Sequence, residues 1–202
     1  MPPRREYHED NALAVRDFVR KCAAREQFGA DIRVGIDPGK TGAIAFTSFK
    51  NRVDPVVMDI PVVSITTGTT RKGKKAKTTK KEFDFQEIIR LFDPLIDAKE
   101  DVDISFTLEF GQPRPKDSSM TAFAIGVGFG MWHLYLGAFG FQYRTVRPAA
   151  WKKKMGLLKK DKNASRLLAK QLFPSASEFL RCVGDDGRAE ALLLAEFSRT
   201  YF

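Results

Sequence analysis

A chain of 202 residues at 43% hydrophobic carries enough apolar material for one sizeable core and too little for two large lobes closing over a ligand. Charged residues at 29%, balanced by 17 Phe, exclude an intrinsically disordered or low-complexity chain. Two cysteines, Cys22 and Cys182, stand 160 positions apart, which excludes a disulfide framework and a cysteine-based zinc site and points to a reducing compartment. The formal net charge of +9 is segregated: residues 71–81 carry +7 with no acid, residues 144–170 carry +9, and the remainder sums to −7. Two concentrated basic patches indicate a polyanion partner, nucleic acid before an acidic protein or a membrane surface.

The first 30 residues, with Glu6, Glu9, Asp10, Asp17 and Glu26, are too acidic for a transit peptide and have no apolar run suited to a signal peptide. Residues 11–27 place Leu13, Val15, Phe18 and Val19 at helical spacing, and this amphipathic helix reads as an appendage spanning residues 1–30. Alternating Ile32, Val34 and Ile36, a Pro38-Gly39 turn and a second run from Ala43 to Phe49 predict a β-hairpin, followed by a strand over Pro55 to Val63. Residues 64–82, rich in Thr, Gly and Lys and without hydrophobic period, read as a mobile basic loop.

Phe83, Phe85, Ile88, Ile89, Leu91, Phe92 and Leu95 predict a helix. Val102 to Phe110 predicts a buried strand with Ile104, Phe106 and Leu108 on one face, so that Glu109 points to the other. Residues 118–143 contain no Asp, Glu, Lys or Arg and are long enough to span a bilayer. Their glycines, the polar His133 and Gln142, and the lack of a second such segment favour a core or dimer-facing helix followed by a strand at Phe141 to Val146. Pro148 opens a short helix, Asp161 caps another that ends near Phe173-Pro174, and a last helix runs from about Asp186 to Tyr201. Three strands, helix, strand, helix, strand, helices is the order of the ribonuclease H-like α/β fold, a mixed five-stranded sheet flanked by helices, here over residues 31–202.

Asp37 ends the first strand and Glu109 a later one, while Asp186 and Glu190 share one face of the last helix. Taken one at a time they read as a turn residue, a solvated strand end, a helix cap and an exposed acid. Together, beside so much positive charge, they favour oxygen-ligated Mg²⁺ for phosphodiester hydrolysis. Gly39-Lys40-Thr41 fails as a Walker loop because position 34 is Val34, and Gly126, Gly128 and Gly130 fail as a dinucleotide loop because position 131 is Met131. Ala122, Gly126 and Gly130, four residues apart, instead make a smooth face for core packing or a dimer seam. His8 and His133 have no partner at ligand spacing and read as structural. Candidate DNA contacts are Lys40, Arg71, Lys72, Lys74, Lys75, Lys77, Lys80, Lys81, Gln112, Arg114, Lys152, Lys153, Lys159, Lys160, Lys162 and Arg166.

Val34-Gly35-Ile36-Asp37-Pro38-Gly39 and Thr41-Gly42-Ala43-Ile44-Ala45 resemble the first motif of RuvC-type Holliday junction resolvases. Trp151-Lys152-Lys153, Asp161-Lys162-Asn163-Ala164-Ser165, Leu172-Phe173-Pro174 and Gly187-Arg188-Ala189-Glu190-Ala191-Leu192-Leu193 resemble the branch that holds the plant chloroplast resolvase and its phage and bacterial relatives. The likeness covers about residues 31–200. It implies a homodimeric endonuclease, not a membrane protein, that resolves four-way (Holliday) junction DNA by two symmetric nicks. It also implies two Mg²⁺ per active site, with Mn²⁺ as a substitute, held by Asp37, Glu109, Asp186 and Glu190. The branch usually has His where this chain has Asp186. Its location would be an organelle nucleoid (chloroplast) for a plant or algal protein, and otherwise cytoplasmic or phage-encoded. A non-catalytic DNA-binding scaffold and a ribonuclease H-like nuclease acting on RNA–DNA hybrids are the alternative readings.

Overall fold

The computed structural model describes residues 7–24, 29–71 and 74–199. Its elements in chain order are α1 (Tyr7–Ala23), β1 (Asp31–Ile36), β2 (Ala43–Thr47), β3 (Val56–Asp59), β4 (Val62–Arg71), β5 (Lys74–Phe83), α2 (Phe85–Ala98), β6 (Asp103–Glu109), α3 (Ser119–Ala138), β7 (Gln142–Val146), α4 (Pro148–Lys154), α5 (Lys162–Leu172) and α6 (Asp186–Ser198). The five-stranded sheet runs β3-β2-β1-β6-β7, with β1, β2 and β3 antiparallel in turn and β6 and β7 parallel to β1. This is the ribonuclease H-like arrangement expected from the element order.

The two faces of the sheet differ in side-chain size, and the difference follows from the period-2 alternation of the strands. Ile32, Val34 and Ile36 of β1, Ile44 and Phe46 of β2, and Ile104, Phe106 and Leu108 of β6 point to one side, where they join residues of α1, α2 and α3 in one core. Phe92 of α2 anchors it, with ring centroids 6.0 Å from Phe46, 5.7 Å from Phe106, 5.7 Å from Trp132 and 5.3 Å from Tyr135; such pairs contribute roughly 0.5–1.5 kcal/mol each beyond their burial. The opposite face carries small residues, Gly35, Ala43, Ala45, Ser105 and Thr107. There α6 settles onto the sheet, with Ala189, Ala191, Leu192, Leu193, Leu194 and Ala195 all fully buried. A Cβ on Gly35 would lie 2.0 Å from Ala191 O, so the absent side chain is what admits the helix backbone.

Two expectations need correction. Helix α1 is no appendage: Val15, Phe18, Val19 and Cys22 belong to the first core, and the Cys22 carbonyl accepts from Asn51 Nδ2 at 2.9 Å. Nor is 64–82 a loop, because β4 and β5 pair over ten positions, from Val62↔Phe83 out to Arg71↔Lys74, as a separate two-stranded ribbon. Its Thr residues suit an extended backbone, and Thr66 and Thr79 hydroxyls meet across it at 3.2 Å. Its described residues from Val63 to Thr66 and from Thr79 to Lys81 are exposed, and only Phe83 at its base enters the first core, so no hydrophobic period revealed it. Phe83 correspondingly closes β5, and Asp84 caps α2 by accepting from Glu87 N at 3.1 Å.

The N-terminal end of the sheet spends its charges on structure. Buried Arg33 binds Asp103 at 2.6 Å and lies 3.8 Å from Asp31, and the Arg33 hydrogen bond holds the Asp103 carboxyl below the usual carboxylate range.

Candidate functional site

Strands β1 and β6 run parallel, with Ile36 opposite Leu108 as the last pair. Asp37 and Glu109 each follow by one residue, on the small-residue face, so strand parity alone aims both toward α6. The turn after Asp37 is tight: Gly42 N donates to Gly39 O at 2.8 Å and Asp37 N to Ala43 O at 3.0 Å. A Cβ on Gly42 would lie 2.1 Å from Asp37 O, and one on Gly187 2.9 Å from Thr41 O. These two glycines let the turn and the head of α6 close on each other, bringing Glu190 up to the strand ends.

Burial and then Glu190 raise the Asp37 carboxyl to about 6, against a hydrogen bond from the Gly39 backbone and the charges of Lys152 and Lys162. Burial and then Asp37 raise Glu109 to about 7, with Glu190 adding to the rise and Trp151 and Lys152 opposing it. Three carboxylates from three elements therefore share one field. Helix α4 supplies the side-chain hydrogen bonds: Trp151 Nε1 donates to Glu109 Oε1 at 2.7 Å, and Lys152 Nζ donates to Glu190 Oε1 at 2.7 Å.

Asp186 is held differently. Its carboxylate lies 3.3 Å from Lys162 Nζ and 3.6 Å from Arg166 Nε, and Arg166 also binds Asn163 and the Cys182 carbonyl. The helix face shared by Asp186 and Glu190 is present, but Asp186 is paired with α5. Among the described residues no group of three or more His, Cys, Asp or Glu is gathered closely enough to grip an ion as it stands. Trp151 and Lys152 draw Glu109 and Glu190 to themselves, and Lys162 and Arg166 draw Asp186.

Beside Asp37 and Glu109 opens a cavity of about 780 Å³, also lined by Lys40, Gln112, Arg114, Thr121 and Arg147. Lys40, Gln112 and Arg114 were expected contacts. Lys40 is tied to the ribbon, donating to Lys81 O at 2.8 Å and Glu82 Oε2 at 2.6 Å. Arg147, which sequence reading passed over, lines the same wall with its guanidinium 6.0 Å from the Phe110 ring. Lys80, Lys81, Lys153, Lys159 and Lys160 are exposed. Lys72 lies outside the described residues, and the side chains of Arg71, Lys74, Lys75 and Lys77 lie outside what is described of the ribbon. His133 is structural in its surroundings, with Nδ1 2.9 Å from the Tyr143 hydroxyl.

Helix α3 is long and apolar enough to cross a membrane by length and composition, but Trp132, Tyr135 and Leu136 pack in the core. Its other side leaves Phe123 70% and Leu134 74% exposed, with open space at Gly126 and Gly130 between them and at Gly137 beyond.

No family model matches the chain. Two solved structures of RuvC from Thermus thermophilus, one free and one in complex with Holliday junction substrate, superpose with a TM-score of 0.47 at 12% identity, covering 84% of this chain and 95% and 96% of theirs. In sequence the chain is 35% identical over 85 residues to "Holliday junction resolvase MOC1, chloroplastic" of Chlamydomonas reinhardtii. That match takes in 42% of this chain, and the chain spans about a tenth of that relative's length.

Proposed function

We propose that this protein is a RuvC-type, divalent-cation-dependent endonuclease that resolves four-way DNA junctions by paired nicks, with residues 31–202 as the nuclease domain. The observation that carries the reading is the gathering of Asp37, Glu109 and Glu190 in one field at the open end of the sheet, beside a cavity rimmed by Lys40, Arg114 and Arg147. The residues fit Mg²⁺, or Mn²⁺ in its place: the donors are all carboxylate oxygens, as a hard cation requires, and two of them are pushed up in pKa by burial and then by a neighbouring carboxylate, the strain a cation would relieve. Asp37, Glu109 and Glu190 form the core of the ligand set, and Asp186 joins it once DNA phosphates take Lys162 and Arg166. When bound, the cations supply charge neutralisation at the scissile phosphate and an acidified water for its attack. Lys40, Arg114, Lys152, Lys153, Lys159, Lys160, Lys162 and Arg166 hold the phosphates flanking the cut, and the lysine-rich ribbon reaches along a DNA arm. The name of the algal relative supports an organellar setting.

The test is Mg²⁺-dependent cleavage of a synthetic four-way junction beside linear duplex and an RNA–DNA hybrid. Symmetric nicks in the junction alone are expected. Binding without any cleavage would favour the DNA-binding scaffold, and cleavage confined to the hybrid would favour the other nuclease class.

The raised carboxyl values predict how the metal-free protein responds to pH. A carboxyl that folding pushes up stabilises the fold fully below its unfolded value near 4, and that contribution is lost as pH rises through the folded value. With Asp37 at about 6 and Glu109 at about 7, the metal-free protein is expected to melt at lower temperature at pH 8 than at pH 5. The difference should be on the order of 4 kcal/mol, about three pKa units in all between pH 5 and the two folded values at 1.4 kcal/mol each. Mg²⁺ should restore the melting temperature at pH 8 and change little at pH 5. Melting curves in EDTA and in Mg²⁺ read both effects, and a curve independent of pH in EDTA would remove the carboxylate cluster from the argument.

Two opposed nicks need two active sites, and the exposed apolar face of α3 supports a homodimer. Because the space at Gly126 is open, Gly126→Leu fits the isolated subunit and is expected to shift the protein toward monomer while keeping its melting profile. Sedimentation of wild type and variant decides it. A wild type that remains monomeric at high concentration and on DNA would exclude the dimer.

A further inference from the structure

Trp151 is fully buried in the second core, among Val146, Leu157 and Ala169. Its position is set by the end of the sheet: Phe110 N donates to Val146 O at 2.8 Å, which keeps β7 alongside β6 to the last residue. Arg147 and Pro148 then start α4 at once, so the first turn of that helix lies beside Glu109. A buried indole gains its apolar burial whether or not its N–H finds an acceptor. Trp132, equally buried, has an Nε1 with no hydrogen-bond partner among the described residues. In Trp151 the N–H is instead spent at 2.7 Å on Glu109 Oε1, a short hydrogen bond. No other hydrogen bond to the Glu109 carboxylate exists among the described residues, so its second oxygen is uncommitted.

The structure assigns Trp151 the role of a positioning residue: its indole N–H pins one oxygen of Glu109 and thereby orients the other toward a divalent cation shared with Asp37. This rests on the metal-dependent reading above. A carboxylate at the end of a strand has free rotation about its side-chain bonds. A single strong donor on a rigid, buried ring removes that freedom before the cation arrives, which is the general way groups bonded to a ligand raise metal affinity. The neighbouring residue on the same turn, Lys152, holds Glu190, so α4 aligns carboxylates that come from β6 and from α6.

The experiment is Mn²⁺ binding to the whole protein, measured by calorimetry without DNA, for wild type, Trp151→Phe, Glu109→Gln and the double variant. Phenylalanine keeps an apolar ring in the pocket and removes the donor. Mn²⁺ affinity is expected to fall about tenfold in Trp151→Phe, with the melting temperature little changed, and to fall no further when Trp151→Phe is added to Glu109→Gln, because both act through one carboxylate. Equal affinity in wild type and Trp151→Phe, or additive losses in the double variant, would overturn the assignment. In the metal-free ¹⁵N-labelled protein, the Trp151 indole N–H resonance is expected to move on Glu109→Ala while that of Trp132 stays. This second reading needs no metal and remains decisive if Trp151→Phe does not fold; an unmoved Trp151 resonance would likewise overturn the role. A wild type that takes up no Mn²⁺ yet shows the indole shift would instead sink the metal site itself, and with it any positioning toward a cation.

Discussion

Asp37→Asn is expected to slow junction cleavage at least about a hundredfold, the loss typical of removing one preorganised electrostatic group from a reaction site, while junction binding survives. Asparagine keeps the size of the side chain and its acceptor for the Gly39 backbone, so the turn and its glycines stay as they are. What disappears is one negative charge from the field that Asp37, Glu109 and Glu190 share. Cation occupancy falls, and the Glu109 carboxyl should drop from about 7, because Asp37 is a leading cause of its rise. Binding is expected to hold or to tighten. The cationic rim is untouched, and an acid that repels the scissile phosphate is gone. Cleavage and binding measured on one junction, in Mg²⁺ and in Ca²⁺, separate the two effects. A variant that cuts as fast as wild type would remove Asp37 from the metal site. Glu109→Gln is expected to behave in the same direction.

The largest effect on the fold is expected at Gly35. A methyl there would lie 2.0 Å from Ala191 O and 2.5 Å from Ala195 N, both backbone atoms of a helix buried around its whole circumference. No side-chain adjustment relieves such an overlap, so α6 must back away from β1. Overpacking of a well-filled core typically costs about 1–3 kcal/mol, and Gly35→Ala should reach or exceed the upper end because backbone rather than a side chain has to move. The same displacement carries Glu190 away from Asp37, so a variant that still folds should also bind Mg²⁺ less tightly. Denaturant unfolding with and without Mg²⁺ measures both. A variant with wild-type stability would mean that α6 is not seated on β1 as described.

Much of this architecture was legible in the sequence because strand alternation is a local property. The period of two in Ile32, Val34, Ile36 and in Ile104, Phe106, Leu108 assigns the large residues to one face, and by the same parity sends Asp37 and Glu109 to the other. The segregation of positive charge is a matter of counting. The spacing of Asp186 and Glu190 follows from helical pitch. Each of these needs only residues within a few positions of one another.

What surrounds a side chain is decided by segments far away along the chain, and there the sequence was mute. That α1 belongs to the core depends on Val15 and Phe18 meeting strands and a helix that follow much later. The ribbon β4–β5 lacks the hydrophobic signal because its described residues beyond the base stand exposed, although its backbone pairs over its full length. Arg147 shares a cavity with Asp37 across 110 positions, and Trp151 reaches Glu109 across 42. Asp186 and Glu190 look equivalent on one helix face, yet Arg166 and Lys162 claim the first and Lys152 the second. Which carboxylates are paired with a cationic side chain and which are not is fixed by distance in space, since charge interactions weaken with separation and burial strengthens those that remain. Residue type and spacing supplied the acids, and only the packing of α4, α5 and α6 on the small-residue face of the sheet decided how each of them is held.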